Sequence, residues 1–219
     1  MISTGLQQLD EFLCGGIPSS VITDIFGGNG TGKTQLLLQI SLNAIKNQKN
    51  VLYLDTTGGF RPERILEMQN NLNLESNILD KITVSRITNT FEQINSIKKI
   101  DPRNFSLIVV DNITDLFSYE YKTKESLFTK NSIFMRHMHD LSTLAIDYEI
   151  PVVITNMIRN IDEMEVENMR NAIDLFTHIK IKLSKNSNRF FGEVSWLLNK
   201  LTFPYVINKS GIFEYTEDF

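Results

Sequence analysis

The sequence contains a single cysteine, Cys14, among its 219 residues. One thiol excludes an internal disulfide framework and fits a reducing compartment. With no histidine motif paired to it, Cys14 is expected to pack as a small hydrophobe rather than to act as a nucleophile. No stretch approaches the roughly 18 consecutive apolar residues of a membrane span, and the N-terminus lacks a basic segment followed by an apolar run. A cytoplasmic location is therefore expected. An excess of positive charge is missing too, since 22 Lys and Arg stand against 26 Asp and Glu for a net charge of −4. Contact with DNA or RNA must then come from a local basic patch. His137 and His139 are two apart on a helical pattern and share no face, and no third ligand accompanies them, so a zinc site is not expected. Repeats, low-complexity tracts and Pro/Gly/Ser-rich linkers are absent. The length, with 42% hydrophobic and 22% charged residues, suits one domain spanning residues 1–219 with a full core.

What the sequence does contain is Gly27-Gly28-Asn29-Gly30-Thr31-Gly32-Lys33-Thr34, which fits G-x-x-x-x-G-K-[ST], the phosphate-binding loop of nucleotide hydrolases. Its context fits as well, because Val21 to Phe26 reads as a buried strand and Gln35 to Gln48 as a helix. Glycines let successive backbone N–H groups converge on phosphate oxygens, and the helix N-terminus adds its positive dipole end. Lys33 is then expected to face the β- and γ-phosphates and the Thr34 hydroxyl to ligate Mg²⁺. Leu107 to Asp111 is an apolar run ending in a carboxylate, which places Asp111 where it would orient the hydration shell of Mg²⁺. ATP and Mg²⁺ are the expected cofactors.

Further strand-like runs, Val51 to Asp55, Ile82 to Ser85, Ser106 to Asp111 and Val152 to Thr155, alternate with helical patterns. This predicts an α/β fold with a mostly parallel sheet flanked by helices. Helices are expected from Pro62 to about Asn70, from about Phe91 to Ile100 behind caps at Thr88 to Thr90, and from Lys130 to Tyr148. After Arg170, short strands at Ile179 to Leu183, Phe190 to Trp196 and Tyr205 to Ile207, with turns at Lys185 to Asn188 and Asn208 to Gly211, predict an antiparallel extension.

Ser3-Thr4-Gly5-Leu6-Gln7-Gln8-Leu9-Asp10 with Gly15-Gly16-Ile17, Asp55 to Arg64, Met138-His139-Asp140-Leu141, Phe26-Gly27 and Lys33-Thr34-Gln35-Leu36 together resemble the ATPase core of the RecA/RadA recombinase superfamily, on its archaeal and eukaryotic side. The resemblance covers nearly the whole chain and extends to short RadB-like paralogues, which lack the helical N-terminal domain of full recombinases and the linker through which neighbours polymerise. It implies a RecA-type fold, ATP and Mg²⁺ binding by the loop and Gln35, and a role in homologous recombination and DNA repair beside a RadA-type recombinase or another paralogue. It also places Arg61 or Arg64 near the adenine; both otherwise read as partners for surface acids.

Two positions depart from the family. Where active members carry a glutamate that activates the attacking water, this chain has Thr57, whose hydroxyl cannot take a proton near neutral pH. Hydrolysis is expected to be slower by roughly 100- to 10,000-fold, unless Asp55, Glu63 or a partner's side chain substitutes. Where the family has glutamine after Thr155-Asn156, this chain has Met157, which forms no strong hydrogen bond and cannot sense the γ-phosphate. The segments matching the family's DNA loops are Tyr119 to Asn131 and Asn156 to Asn171. The first offers Lys122, Lys124 and Lys130 beside Tyr119, Tyr121 and Phe128, a mixture suited to phosphate contact and stacking on single-stranded DNA. The second sets Arg159 and Arg170 against Asp162, Glu163, Glu165 and Glu167. Solvated loops are the other reading of both. Lys180, Lys182, Lys185 and Arg189 form either a further basic patch or an ordinary charged strand face. The expectation is thus an ATP-binding accessory protein with weak turnover. The alternatives are an active DNA-dependent ATPase with strand-exchange activity and a KaiC-like signalling ATPase, against which Phe60 to Arg64 speaks.

Overall fold

A computed structural model describes residues 1–46, 50–72, 78–161, 164–187 and 189–215. In chain order the elements are α1 (Gln7–Phe12), β1 (Ile22–Gly27), α2 (Lys33–Ile45), β2 (Asn50–Asp55), α3 (Pro62–Leu72), β3 (Ile82–Arg86), α4 (Thr90–Ser96), β4 (Phe105–Asp111), α5 (Asp115–Glu120), α6 (Leu127–Asp147), β5 (Val152–Ile161), β6 (Met164–Glu167), α7 (Arg170–Ile173), β7 (Thr177–Asn186), β8 (Arg189–Trp196), β9 (Asn199–Asn208) and β10 (Gly211–Glu214). The strands form one sheet in the order β10-β9-β8-β7-β1-β5-β4-β2-β3, with β6 paired to β5. From β7 to β3 every neighbouring pair is parallel, and β7 to β10 pair antiparallel. This is the mostly parallel core with a C-terminal antiparallel extension that the hydrophobic pattern predicts. Gln48, Asp162, Glu163 and Asn188 lie outside the described residues.

The period-2 alternation of strand side chains divides the core into two layers. Ile25, Val51, Tyr53, Leu107, Val109 and Val153 face one side, packed with Leu36 to Leu38 of α2 and Ile65 and Met68 of α3. Leu52, Leu54, Ile108, Val110, Val152 and Ile154 face the other, against Phe117 of α5 and Phe134, Met138, Leu141 and Ala145 of α6. Every residue of α2 from Gln35 to Ile45 is buried, as befits a helix apolar on nearly all sides. Its N-terminus is thereby fixed against the end of β1, where the phosphate-type loop lies.

Local chemistry sets the element ends. The Asn89 side chain accepts from the Glu92 N–H at 2.8 Å and caps α4. In the antiparallel extension, a Cβ at Gly192 would lie 2.2 Å from the ring of buried Phe203, so glycine there lets the ring fill the space over β8. Cys14 corrects an expectation: it is exposed rather than packed. It follows the end of α1 with φ 56°, and this left-handed turn carries its side chain away from the layer that Leu9 and Leu13 join.

His137 and His139 point apart, as their spacing requires, and no cluster of metal-binding side chains occurs among the described residues. His137 is fully buried in α6 and stacks on Phe117 with centroids 6.0 Å apart. Burial pushes its pKa down to about 3, with Lys98 adding to the effect. Between that value and roughly 6.5 the unfolded chain binds a proton here that the folded one does not. Stability must therefore fall as pH drops through this window, at up to about 1.4 kcal/mol per pH unit. Urea midpoints at pH 7 and pH 5 should separate further in the wild type than in a His137→Gln variant; equal separation would refute the assignment.

Candidate functional site

The C-terminal ends of β1, β2, β4 and β5 open into one cleft of about 570 Å³, lined by Asn29, Gly30, Gly32, Lys33, Thr34, Gln35, Thr57, Arg64, Asp111, Asn112, Asp115, Met157 and Ile207. This is the edge of a parallel sheet where ligands bind in open α/β folds. The loop after β1 begins at Gly27, whose φ is 153° and where a Cβ would meet the Leu183 carbonyl oxygen at 2.0 Å. Glycine alone permits that approach. The loop is held from below: the Thr31 hydroxyl donates to the Gly28 carbonyl at 2.9 Å, and the Tyr205 hydroxyl donates to the Thr31 carbonyl at 2.6 Å. Lys33 Nζ donates to the carbonyls of Gly27 at 2.9 Å and Gly28 at 2.8 Å, so its ammonium spans the loop. Burial pushes its pKa down, opposed by Asp111 and Asp115.

Asp111, at the end of β4, is buried and accepts three hydroxyl hydrogen bonds, from Thr34 and Tyr53 at 2.8 Å each and from Thr155 at 2.5 Å. Burial and the Asp111 charge raise the Tyr53 pKa well above its usual value and keep that phenol a donor. The adjacent Thr34 hydroxyl and Asp111 carboxylate are hard oxygen donors of the kind Mg²⁺ prefers. Asp55 is committed elsewhere. Its Oδ1 accepts the N–H groups of Thr57 (3.2 Å), Gly58 (2.7 Å) and Gly59 (3.1 Å), its Oδ2 accepts that of Phe60 (3.3 Å), and Arg86 lies 3.6 Å away. It shapes the 57–60 turn and does not line the cleft. Glu63 is exposed on the first turn of α3 and is not among the lining residues either. Arg64, by contrast, reaches the cleft and donates to Gln35 Oε1 at 2.9 Å.

The family model that matches the chain is Rad51, over residues 1–174. The chain belongs to the Rad51 family, within the RecA/RadA superfamily. It is 37% identical over 169 residues to a protein of Metallosphaera sedula described as "DNA repair and recombination protein RadA", with 72% of this chain and 52% of that protein covered. It is also 37% identical over 168 residues to the protein of the same description from Aeropyrum pernix, with 72% and 53% covered. The chain thus spans about half the length of these relatives. Among the described residues no helix is long and apolar enough to cross a membrane.

The two segments expected as DNA-contacting loops prove more structured. Lys130 lies not in a loop but within α6, which starts at Leu127, and it is buried, with its pKa lowered by that burial and by Arg159. Lys122 stays in the connection between α5 and α6, its Nζ 4.1 Å from the Tyr119 ring centroid, and Lys124 is exposed there. Residues 156–161 and 164–171 belong to the antiparallel strands β5 and β6 and the start of α7 rather than to an open loop. The described acids of β6 are paired from β7: Lys182 pairs with Glu165 at 3.1 Å, and Lys180 pairs closely with Glu167 and with Asp174 beyond α7. Hydrogen bonds to Asp174 and Glu167 outweigh burial and raise the Lys180 pKa. Lys180 and Lys182 are therefore not part of a free basic patch. Arg159 remains on β5, in a second groove with Asn131, Met135, Val166 and Arg170.

Three lining residues escape motif reading. Ile207 comes from β9, far along the chain, and only the fold brings it to the loop. Asn112 follows Asp111 and accepts from the Thr114 backbone N–H at 2.8 Å, and the Thr114 hydroxyl donates to Asn156 at 2.7 Å. Asn156 in turn donates to Glu167 at 3.0 Å, so buried polar bonds run from the cleft to β6. Asp115 opens α5 four residues after Asp111 ends β4, and no motif marks it. Burial and then the Asp111 charge raise its pKa, against Lys33 and Arg159.

Proposed function

We propose that this single RecA-like domain binds ATP with Mg²⁺ in the 570 Å³ cleft, turns it over slowly, and serves recombination and repair as a RadB-like accessory to a RadA-type recombinase or a related paralogue. The observation that carries the reading is the pairing of a full phosphate cradle, Gly27 to Thr34 with Asp111, with Thr57 and Met157 at the two positions where catalysis and γ-phosphate sensing need other side chains. Backbone N–H groups of residues 28–34 and the α2 N-terminus would receive the phosphates, Lys33 would exchange its loop carbonyls for phosphate oxygens, and Gln35 with Arg64 would border the base. Thr34 and Asp111 would hold Mg²⁺, which supplies neutralising charge between the β- and γ-phosphates when bound.

Lys122, Lys124 and Arg159 are the cations best placed for single-stranded DNA. Lys130, buried in α6, would reach DNA only if the helix start opened. The relatives' description as RadA and the absence of a strong positive field make a protein partner the main link to DNA. Calorimetry with ATP and Mg²⁺, followed by ATPase rates with and without single-stranded DNA, tests this. Micromolar uptake with slow, weakly stimulated turnover is expected; brisk DNA-stimulated turnover would overturn it and favour an autonomous recombinase.

A further inference from the structure

We propose that Asp115 is the base for the residual hydrolysis at this site, taking over from the carboxylate that position 57 lacks. The inference rests on the nucleotide reading above and concerns which side chain receives the proton.

The cleft itself narrows the choice. Among the described residues that line it, only Asp111 and Asp115 are acids. Asp111 accepts from the hydroxyls of Thr34, Tyr53 and Thr155 and is the carboxylate assigned to Mg²⁺. Asp55, the alternative nearest in sequence to Thr57, spends both oxygens on four backbone N–H groups. Asp115 has no such commitment. It opens α5 soon after β4 ends and lines the same cavity as Thr57, Asp111 and Met157, within electrostatic reach of the Lys33 ammonium. Its surroundings suit the role. Burial and Asp111 increase its proton affinity, while Lys33 and Arg159 favour its ionised form, which is the balance a base needs.

In the step proposed, the oxygen of a water attacks the γ-phosphorus and forms the new P–O bond. The bond from that phosphorus to the bridging oxygen breaks, and its electron pair leaves on the β-phosphate of ADP. The proton shed by the water passes to an Asp115 carboxylate oxygen and then to solvent. A carboxylate in this position also repels the γ-phosphate before reaction, so it should cost affinity for ATP and not for ADP.

The test measures single-turnover hydrolysis alongside calorimetric affinities for ATP and ADP, each with Mg²⁺, in the wild type, Asp115→Asn and Asp115→Glu. Asp115→Asn is expected to lower hydrolysis at least about tenfold and to tighten ATP binding about two- to tenfold relative to ADP. Asp115→Glu is expected to retain hydrolysis within a few-fold, which guards against a folding artefact. Wild-type hydrolysis by Asp115→Asn, or equal shifts in ATP and ADP affinity, would overturn the assignment while leaving nucleotide binding intact. Failure of the wild type to take up either nucleotide would instead overturn the nucleotide reading.

Discussion

Replacing Thr57 with glutamate should accelerate ATP hydrolysis by about 10- to 1,000-fold, the roughly 100- to 10,000-fold that a positioned general base supplies less the about tenfold that Asp115 already gives. The substitution is sterically inexpensive. Thr57 is exposed at the cleft, and its turn is shaped by Asp55, which gathers the N–H groups of Thr57, Gly58, Gly59 and Phe60. The Thr57 hydroxyl adds only the 3.2 Å bond it accepts from Gly59 and a long 3.4 Å bond to Asp55. Their loss costs about 1 kcal/mol. A glutamate on the same backbone carries its carboxyl group about two bonds beyond the reach of threonine, into a cavity that already holds Lys33, Thr34 and Asp111. Phosphate release under saturating ATP and Mg²⁺ checks the claim, with Thr57→Gln as the control that has the same length and no basic oxygen. A rate gain in the glutamate variant alone identifies proton transfer as the missing function. Equal gains in both would mean that water positioning was lacking, and no gain would place the defect elsewhere, at Met157 or at an interface that a partner completes.

Much of this arrangement was legible in the residues because it is local. A strand, a glycine loop and a helix in that order leave one place for a phosphate, and alternating apolar strands separated by helices leave one class of sheet. Interactions between distant segments were not legible. The lysines of β7 looked free because their acidic partners lie on β6 and beside α7, and only the pairing of β5 with β6 and of β1 with β7 brings them together. Lys130 reads both as part of the Tyr119 to Asn131 segment and as the first residue of a helix, yet α6 starts three residues earlier at Leu127 and buries its stem. Asp115 was not legible because the helix it opens, α5, has no marked sequence pattern, and its cleft neighbours Thr57 and Met157 come from distant segments.

Replacing Lys33 with alanine should weaken ATP binding about 30- to 1,000-fold while the domain keeps its fold. The two effects separate because Lys33 is not what builds the loop. Thr31 and Tyr205 fasten the loop from within and from β9, and Gly27 fits against Leu183 without reference to the lysine. Removing the ammonium leaves the Gly27 and Gly28 carbonyls without that donor, but they face an open cleft where water replaces it, so stability should change by about 1 kcal/mol or less. Binding has no such substitute. A charge-assisted bond to phosphate contributes roughly 1.5–3 kcal/mol, so two give about 3–6 kcal/mol, and the loop-carbonyl bonds that the ammonium gives up reduce this to about 2–4 kcal/mol, the size of the predicted loss. The loss should be larger for ATP than for ADP, because the ammonium serves the γ-phosphate as well as the β. Calorimetric titration of both nucleotides, with a thermal melt on the same protein, decides it. A variant that melts like the wild type and still binds ATP as tightly would mean that this cradle does not hold the triphosphate.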